Sequence, residues 1–275
     1  MLRRPVPEFV IADGHFPRKR FGQHFLTDRA IIEQIIDAID PRPEDNIVEI
    51  GPGLGALTGP LLARTRELHT IEIDRDLAAA MRQRHAADGL VVHEGDALKF
   101  DFSALPAPLR VVGNLPYNIS TPLLFHLVEF ADRLRDLHFM LQREVVERMV
   151  ALPSRHEYGR LSVALQYRFR MRRLFLVPPE AFRPPPKVES AVVRMEPIDR
   201  LARAARDEAL LARVVTQAFS HRRKTLKNAL QGLASAEDLA AFGIDAGLRA
   251  ENLSVPDFVA IANGLVDRRA EPHQH

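Results

Sequence analysis

The chain has 275 residues, 46% of them hydrophobic, and a formal net charge of +2, enough apolar material for one sizeable core and a small second domain. It has no cysteine, which excludes disulfides, thiolate metal sites and cysteine nucleophiles. No apolar run approaches the ~18 residues of a membrane span. Arg3 and Arg4 are not followed by an apolar stretch, because Glu8 and Asp13 interrupt it; no signal peptide and a cytoplasmic location are therefore expected. The isoelectric point of about 9.1 beside so small a net charge directs attention to local basic patches.

Residues 1–17 show no period and are expected to form a loose arm. Arg18-Lys19-Arg20 is a short basic cluster of the kind that usually lies on a solvated surface. The segment Phe21-Gly22-Gln23-His24-Phe25-Leu26 is too apolar for an exposed arm and suggests a strip folded over a pocket. In it His24 is either a ligand-facing donor or a packed histidine, and spacing alone favours packing. Thr27 or Asp28 then caps a helix whose Ile31, Ile32, Ile35, Ile36 and Ile39 recur at helical spacing, ended by Pro41 and Pro43.

Asn46–Ile50 reads as a short buried strand, followed by Gly51-Pro52-Gly53-Leu54-Gly55 and an apolar helix through Leu62. A strand, a glycine-rich turn and a helix open a nucleotide-binding βα unit. Gly51 and Gly53 let a ligand approach the backbone closely. The spacing is G-x-G-x-G rather than the dinucleotide G-x-G-x-x-G, and Pro52 removes an N–H that a pyrophosphate would use. Both points favour S-adenosylmethionine over NAD. The next strand, Leu68–Ile73, carries Glu72, 17 residues after Gly55, where an acid clasps ribose hydroxyls; the alternative is a strand-end acid in solvent. Leu90–His93 is a third strand. Asp96 follows it, at a strand's carboxyl end where an adenine amine would be accepted, although a Gly-Asp pair is also a common turn.

A fourth strand, Leu109–Gly113, delivers Asn114-Leu115-Pro116-Tyr117. The exocyclic amine of a nucleic-acid base is a poor nucleophile because its lone pair is delocalised into the ring. Acceptors aimed at its two hydrogens would localise that pair, and the Asn114 side-chain oxygen and Leu115 carbonyl can supply them. Pro116 stiffens the turn, and Tyr117 offers a face on which the base can stack. The turn therefore suits amine methylation, with an ordinary Asn-Pro loop and a core tyrosine as the alternative.

A helix is expected from near Thr121, a strand over Leu137–Leu141 and a helix over Glu144–Ala151. Gln142 to Arg173 holds eight arginines against three glutamates, a surface for a phosphate-rich partner or a solvated face. After a strand over Leu174–Val177, Phe182 stands in a stiff proline-rich loop, either as a core plug or as a second stacking face opposite Tyr117. Ala191–Met195 is the last strand. From about residue 199 the pattern is helical, so the domain boundary is placed near Pro197 to Arg200. Arg222, Arg223, Lys224 and Lys227 form a second basic cluster in a stretch, 209–236, without an acid. Ser254 caps a final helix through Leu265, with Pro256 in its first turn.

Five motifs in order, Gly22-Gln23-His24-Phe25-Leu26, Glu49 to Gly55, Asn114 to Ser120, Pro184-Pro185-Pro186-Lys187-Val188 and Arg222-Arg223-Lys224-Thr225, closely resemble the small-subunit (16S) ribosomal RNA adenine N6,N6-dimethyltransferases, the KsgA/RsmA type. The resemblance runs from Arg18 to about Gly232. It implies a class I, Rossmann-like α/β methyltransferase fold over 18–198, with a seven-stranded, mostly parallel sheet. A small all-helical domain over 199–275 would bind the RNA or ribosome. It implies S-adenosylmethionine, and no metal, held by His24, Leu26, Gly51, Gly53, Glu72, Asp96 and Asn114. Asn114, Leu115, Pro116, Tyr117 and Phe182 would then handle the base, and Arg222, Arg223, Lys224 and Lys227 the RNA. Two adjacent adenosines in the 3′-terminal hairpin loop would each be methylated twice, within a small ribosomal subunit or its precursor, by a monomer. Many members carry Asn where this chain has His24. A related large-subunit enzyme that confers macrolide resistance shares most of the motifs and is the nearest rival. A non-catalytic RNA-binding assembly factor is the alternative from another class.

Overall fold

The computed structural model describes residues 24–199, 204–221 and 223–270. The expected arm over 1–17, the Arg18-Lys19-Arg20 cluster, Phe21-Gly22-Gln23 and Arg222 lie outside the described residues. The described chain falls into two compact units, one of residues up to 146 with 172–196, the other of 147–171 with those from 197 onward.

The first unit is organised on the apolar runs. Its strands are β1 (Phe25–Leu26), β2 (Asn46–Ile50), β3 (Leu68–Glu72), β4 (Leu90–Glu94), β5 (Leu109–Asn114), β6 (Leu134–Gln142), β7 (Phe169–Val177), β8 (Phe182–Arg183) and β9 (Ser190–Pro197). Seven of them form one sheet in the order β4-β3-β2-β5-β6-β9-β7. β2 to β6 pair in parallel and β9 runs antiparallel to β6, the mostly parallel seven-stranded arrangement expected. Strand order reverses between β2 and β5, so the crevice outside their carboxyl ends is the place where open α/β sheets take ligands. β5 can lie this close to β2 because residue 113 is glycine: a Cβ there would stand 2.5 Å from the Ile50 carbonyl oxygen.

Helices α1 (Arg29–Ile39), α2 (Thr58–Leu62), α3 (Arg75–Arg84), α4 (Ser120–Val128) and α5 (Arg143–Val150) follow their strands or precede them. Asp28 is the N-cap of α1 and accepts from the Ala30 and Ile31 amides. Ile35, Ile36 and Ile39 of α1 pack into one core with Ile47, Val112, Met140 and Val192 of the sheet.

The two remaining strands pair only with each other: Phe25 opposite Arg183 and Leu26 opposite Phe182, antiparallel. The Thr27 and Asp28 amides both donate to the Ala181 carbonyl, at 2.8 and 3.2 Å. This pairing ties residues at the beginning of the described chain to a loop that arrives after six of the seven sheet strands.

The second unit is built on α6 (Arg160–Gln166), α7 (Glu208–Ala218), α8 (Leu226–Ala229), α9 (Ala236–Ala241) and α10 (Val255–Ala270). Its own core includes Tyr158, Leu210, Val214, Phe258 and Ile261. Asp207 caps α7 and Ser235 caps α9, while Ser254 and Asp257 exchange bonds across the first turn of α10. No helix among the described residues is long and apolar enough to cross a membrane.

Candidate active site

A cavity of ≈ 320 Å³ opens at the carboxyl ends of β2, β3 and β5, entirely within the first unit. Its floor is the turn after β2. Gly51 and Gly53 have φ of +66° and +56°, a backbone that residues with a Cβ rarely adopt. A Cβ on Gly53 would also press on the Phe25 ring at 3.1 Å, so the turn brings main chain, not side chains, to the cavity.

Glu72 ends β3, buried, and its carboxylate is fixed by two amides: Gly53 N–H to Oε2 at 3.2 Å and Asp74 N–H to Oε1 at 2.9 Å. Burial pushes this carboxyl up, and the same two hydrogen bonds hold it back. Glu49, the penultimate residue of β2, is a second buried acid on the cavity wall. Its partner is the Thr58 hydroxyl, which donates to Oε2 at 2.6 Å. Burial, helped by the charge of Glu72 and opposed by that hydrogen bond, raises its pKa to about 7. The reading of the sequence missed Glu49 as a site residue. The signal was an acid in the otherwise apolar run Ile47-Val48-Glu49-Ile50. Asp96 also lines the cavity, and its Oδ1 accepts from the Leu98 amide at 3.0 Å. The wall thus contains three carboxylates, Glu49, Glu72 and Asp96, and no lysine or arginine.

Asn114 closes β5 at the rim. Its Nδ2 donates to the His24 carbonyl at 3.0 Å. A carbonyl can only accept, so this bond dictates the amide orientation and leaves Oδ1 as the acceptor. The Leu115 amide donates to the Met140 carbonyl of β6 at 3.1 Å, which pins the turn to the sheet. Pro116 and Tyr117 continue the wall. The Tyr117 hydroxyl shares a 2.9 Å hydrogen bond with Ser190 Oγ at the start of β9, and burial raises its pKa, so it is a neutral phenol. His24 and Leu26 line the cavity as well, with Gly51 and Gly53. All the expected cofactor residues, and Asn114 to Tyr117, therefore meet in one place.

Phe182 does not join them. It is 1% exposed and packs in the core with Leu26, Ile35, Ile36 and Ala181, because pairing of β8 with β1 turns its ring inward. Of the two readings open for it, core plug and stacking face, the structure takes the first. Arg223, Lys224 and Lys227 are exposed in the second unit, near the start of α8, and no ion pair engages them among the described residues. No group of three or more histidines, aspartates or glutamates converges as a metal site among the described residues.

Comparisons with known proteins agree with this geometry. Residues 14–267 match the family model described as ribosomal RNA adenine dimethylase. The chain is 61% identical over 257 residues to the ribosomal RNA small subunit methyltransferase A of Chromobacterium violaceum, covering 93% of this chain and 98% of that one. It is 64% identical over 249 residues to the protein of the same name from Aromatoleum aromaticum, covering 90% and 94%. Among solved structures, a dimethyladenosine transferase from Plasmodium falciparum superposes with a TM-score of 0.77 at 26% identity, over 86% of this chain and 96% of that chain. The 23S rRNA methyltransferase ErmE shares the fold, with a TM-score of 0.66 at 24% identity over 88% and 99%. The chain belongs to the ribosomal RNA adenine dimethylase family.

Proposed function

We propose that this chain dimethylates the N6 amines of two adjacent adenosines in the 3′-terminal hairpin loop of small-subunit ribosomal RNA, using S-adenosylmethionine, and that it acts as a monomer on a small subunit or its precursor in the cytoplasm. The observation that carries the reading is the juxtaposition of a cavity wall holding three acids and no lysine or arginine with Asn114-Leu115-Pro116-Tyr117 at its rim. A pyrophosphate would be repelled by Glu49, Glu72 and Asp96, whereas a ligand bearing ammonium and sulfonium charges is attracted. The names of the relatives support the small-subunit substrate.

When bound, S-adenosylmethionine supplies an electrophilic methyl group. Glu72, fixed by two amides, would accept from ribose hydroxyls, and Asp96 from the adenine amine of the cofactor. Gly51 and Gly53 admit the ligand to the main chain. Asn114 Oδ1 and the Leu115 carbonyl would accept the two hydrogens of the target amine, freeing its lone pair. Tyr117 would stack the base so that the amine stays in line. Methylation makes the amine acidic, so its proton leaves to water and no strong general base is required. Arg223, Lys224 and Lys227, with Arg222, would engage RNA phosphates.

The reading is tested with small subunits from a strain that lacks the modification. They are incubated with the protein and radiolabelled S-adenosylmethionine, and the RNA is digested and mapped. N6,N6-dimethyladenosine in the 3′-terminal hairpin is the expected product. Label in large-subunit RNA and none in the small subunits when both are offered, or no label despite cofactor binding, overturns the reading.

A further inference from the structure

With Phe182 buried in the core, the stacking face at the rim is Tyr117. A stacking face needs only a flat ring, which phenylalanine would supply. Residue 117 carries a phenol, and its hydroxyl shares a 2.9 Å hydrogen bond with the hydroxyl of Ser190, 73 positions later. Ser190 is fully buried at the start of β9. A buried hydroxyl without a partner is costly, and among the described residues the Tyr117 hydroxyl is the one hydrogen-bond partner of Ser190 Oγ.

Both anchors of the turn lie on one pair of strands, within the first unit. The Leu115 amide donates to the Met140 carbonyl at 3.1 Å. Met140 stands opposite Val192 in the antiparallel β6–β9 ladder, and Gln142 stands opposite Ser190. The anchor of the main chain and the anchor of the ring are therefore two residues apart along the same ladder. The approach to Ser190 is clamped as well. The Arg143 amide donates to the Glu189 carbonyl at 3.0 Å, and its Nη1 to the Glu189 carboxylate at 2.8 Å. On the other side, the Ser120 hydroxyl donates to the Tyr117 carbonyl at 3.1 Å. Tyr117 is thus held by its main chain and by the tip of its ring.

We propose that Ser190 is a positioning residue for the methyl transfer: its hydroxyl fixes the Tyr117 ring in place, and through that ring the adenine stacked on it. The proposal rests on the adenosine-methylating reading above. Stacking attracts a base but leaves it free to slide, because dispersion follows overlap and not one direction. The amine must nonetheless lie in line with the methyl group, and a displacement of about 1 Å costs on the order of 10²-fold in rate. A ring tethered at its hydroxyl cannot swing about the Cα–Cβ bond without breaking its bond to Ser190. The plane on which the base rests is then set by the β6–β9 ladder, the same frame that holds the Leu115 amide.

Ser190→Ala and Tyr117→Phe delete this hydrogen bond from its two ends and keep the ring. Each full-length variant, and the double variant, is assayed on undermethylated small subunits. Affinity for S-adenosylmethionine is measured by calorimetry, and stability by urea unfolding. Each single variant is expected to lose roughly 10-fold in kcat, the double variant no more than the worse single one, with cofactor affinity within about twofold of the wild type. Losses that multiply in the double variant overturn the proposal, since Ser190 then acts other than through the phenol. Near-normal kcat in Tyr117→Phe also overturns it, and decides the matter even where Ser190→Ala does not fold. A loss in Ser190→Ala that comes with a lowered urea midpoint and weakened cofactor binding overturns it in favour of a packing role. If the wild-type chain methylates no small-subunit RNA, the functional reading itself falls and this inference with it.

Discussion

Glu49 is a buried carboxyl whose neighbour Glu72 is also an acid. Its pKa of about 7, against an ordinary value of 4.5, has a thermodynamic sign. An acid whose folded pKa is raised contributes stability that is fully present below its unfolded pKa and is lost as pH rises through the folded pKa. The window here is pH 4.5 to about 7, and the full amplitude is on the order of 3 kcal/mol. Glu49→Gln keeps an acceptor for the Thr58 hydroxyl and removes the ionisation. Urea unfolding of the ligand-free chain should therefore give a wild type that weakens relative to this variant across that window. Parallel pH profiles would mean that Glu49 is as well solvated folded as unfolded. Asn114 is the other residue whose chemistry is decided by one bond. Since the His24 carbonyl claims Nδ2, Oδ1 is the preorganised acceptor. Asn114→Ala should lower kcat by about 10²–10³-fold, the range for deleting one preorganised polar group beside a reacting centre, while cofactor affinity falls far less. Near-normal turnover would remove Asn114 from the reaction.

At the level of elements, the far end of the sheet is closed by charge. Arg110, near the start of β5, donates Nε and Nη2 to the two oxygens of Asp136 on β6, both at 2.9 Å, and Nη1 to Asp45 at 2.6 Å. It also reaches the carbonyls of Ile39 and Asp40 at the end of α1. Burial alone would raise the Asp45 carboxyl; hydrogen bonds from Arg110 and the Arg42 amide, with the charges of Arg110 and Arg135, hold it below its usual range. Arg110→Met removes the main partner of buried Asp136, which keeps Arg194 at 3.7 Å, and leaves Asp45 to Arg135 and the Arg42 amide; it should cost about 3 kcal/mol. Adding Asp136→Leu should recover part of that loss. Because the cluster lies at the amino ends of the strands, cofactor affinity of the folded variant should be unchanged; a large change would mean that the two ends of the sheet are coupled.

The sheet itself was legible because its inner strands are apolar runs bounded by glycine, proline or charge, as Ile47–Ile50 and Leu109–Gly113 are. β7 was read short, as Leu174–Val177, because Arg170, Arg172 and Arg173 break its apolar pattern. They are exposed on a strand at the sheet edge, where charge protects against unwanted pairing. β1 and β8 were illegible: two residues each, they exist only because each finds the other far along the chain. That pairing also decided Phe182, whose proline-rich surroundings are equally compatible with a plug and a stacking face. Most of the cavity wall was readable from its glycines, acids and the Asn114 turn. Glu49 and the Tyr117–Ser190 bond were not, since one was hidden in a strand and the other joins side chains 73 positions apart.

Across the whole molecule, the cavity and the exposed basic cluster belong to different units. The wall of the cavity in the first unit includes three acids and no lysine or arginine, and exposed Arg223, Lys224 and Lys227 belong to the second. Replacing these three with glutamine should weaken particle binding and lower the magnitude of the log–log salt slope by about 2–3, close to one for each phosphate no longer neutralised. An unchanged slope would locate the RNA-binding surface elsewhere. The residues that roof the cavity have a different dependence on the rest of the chain. His24 is held by a carbonyl 160 positions later, and Thr27 by one 154 positions later. On a translating ribosome that interval lasts roughly 8–30 s at ordinary elongation speeds. The cradle of glycines after β2 is synthesised early, but its cover cannot be fastened until the proline-rich loop has emerged. A nascent chain that ends before Ala181 lacks both carbonyls that hold His24 and Thr27, so the cover of the cavity is completed late in synthesis.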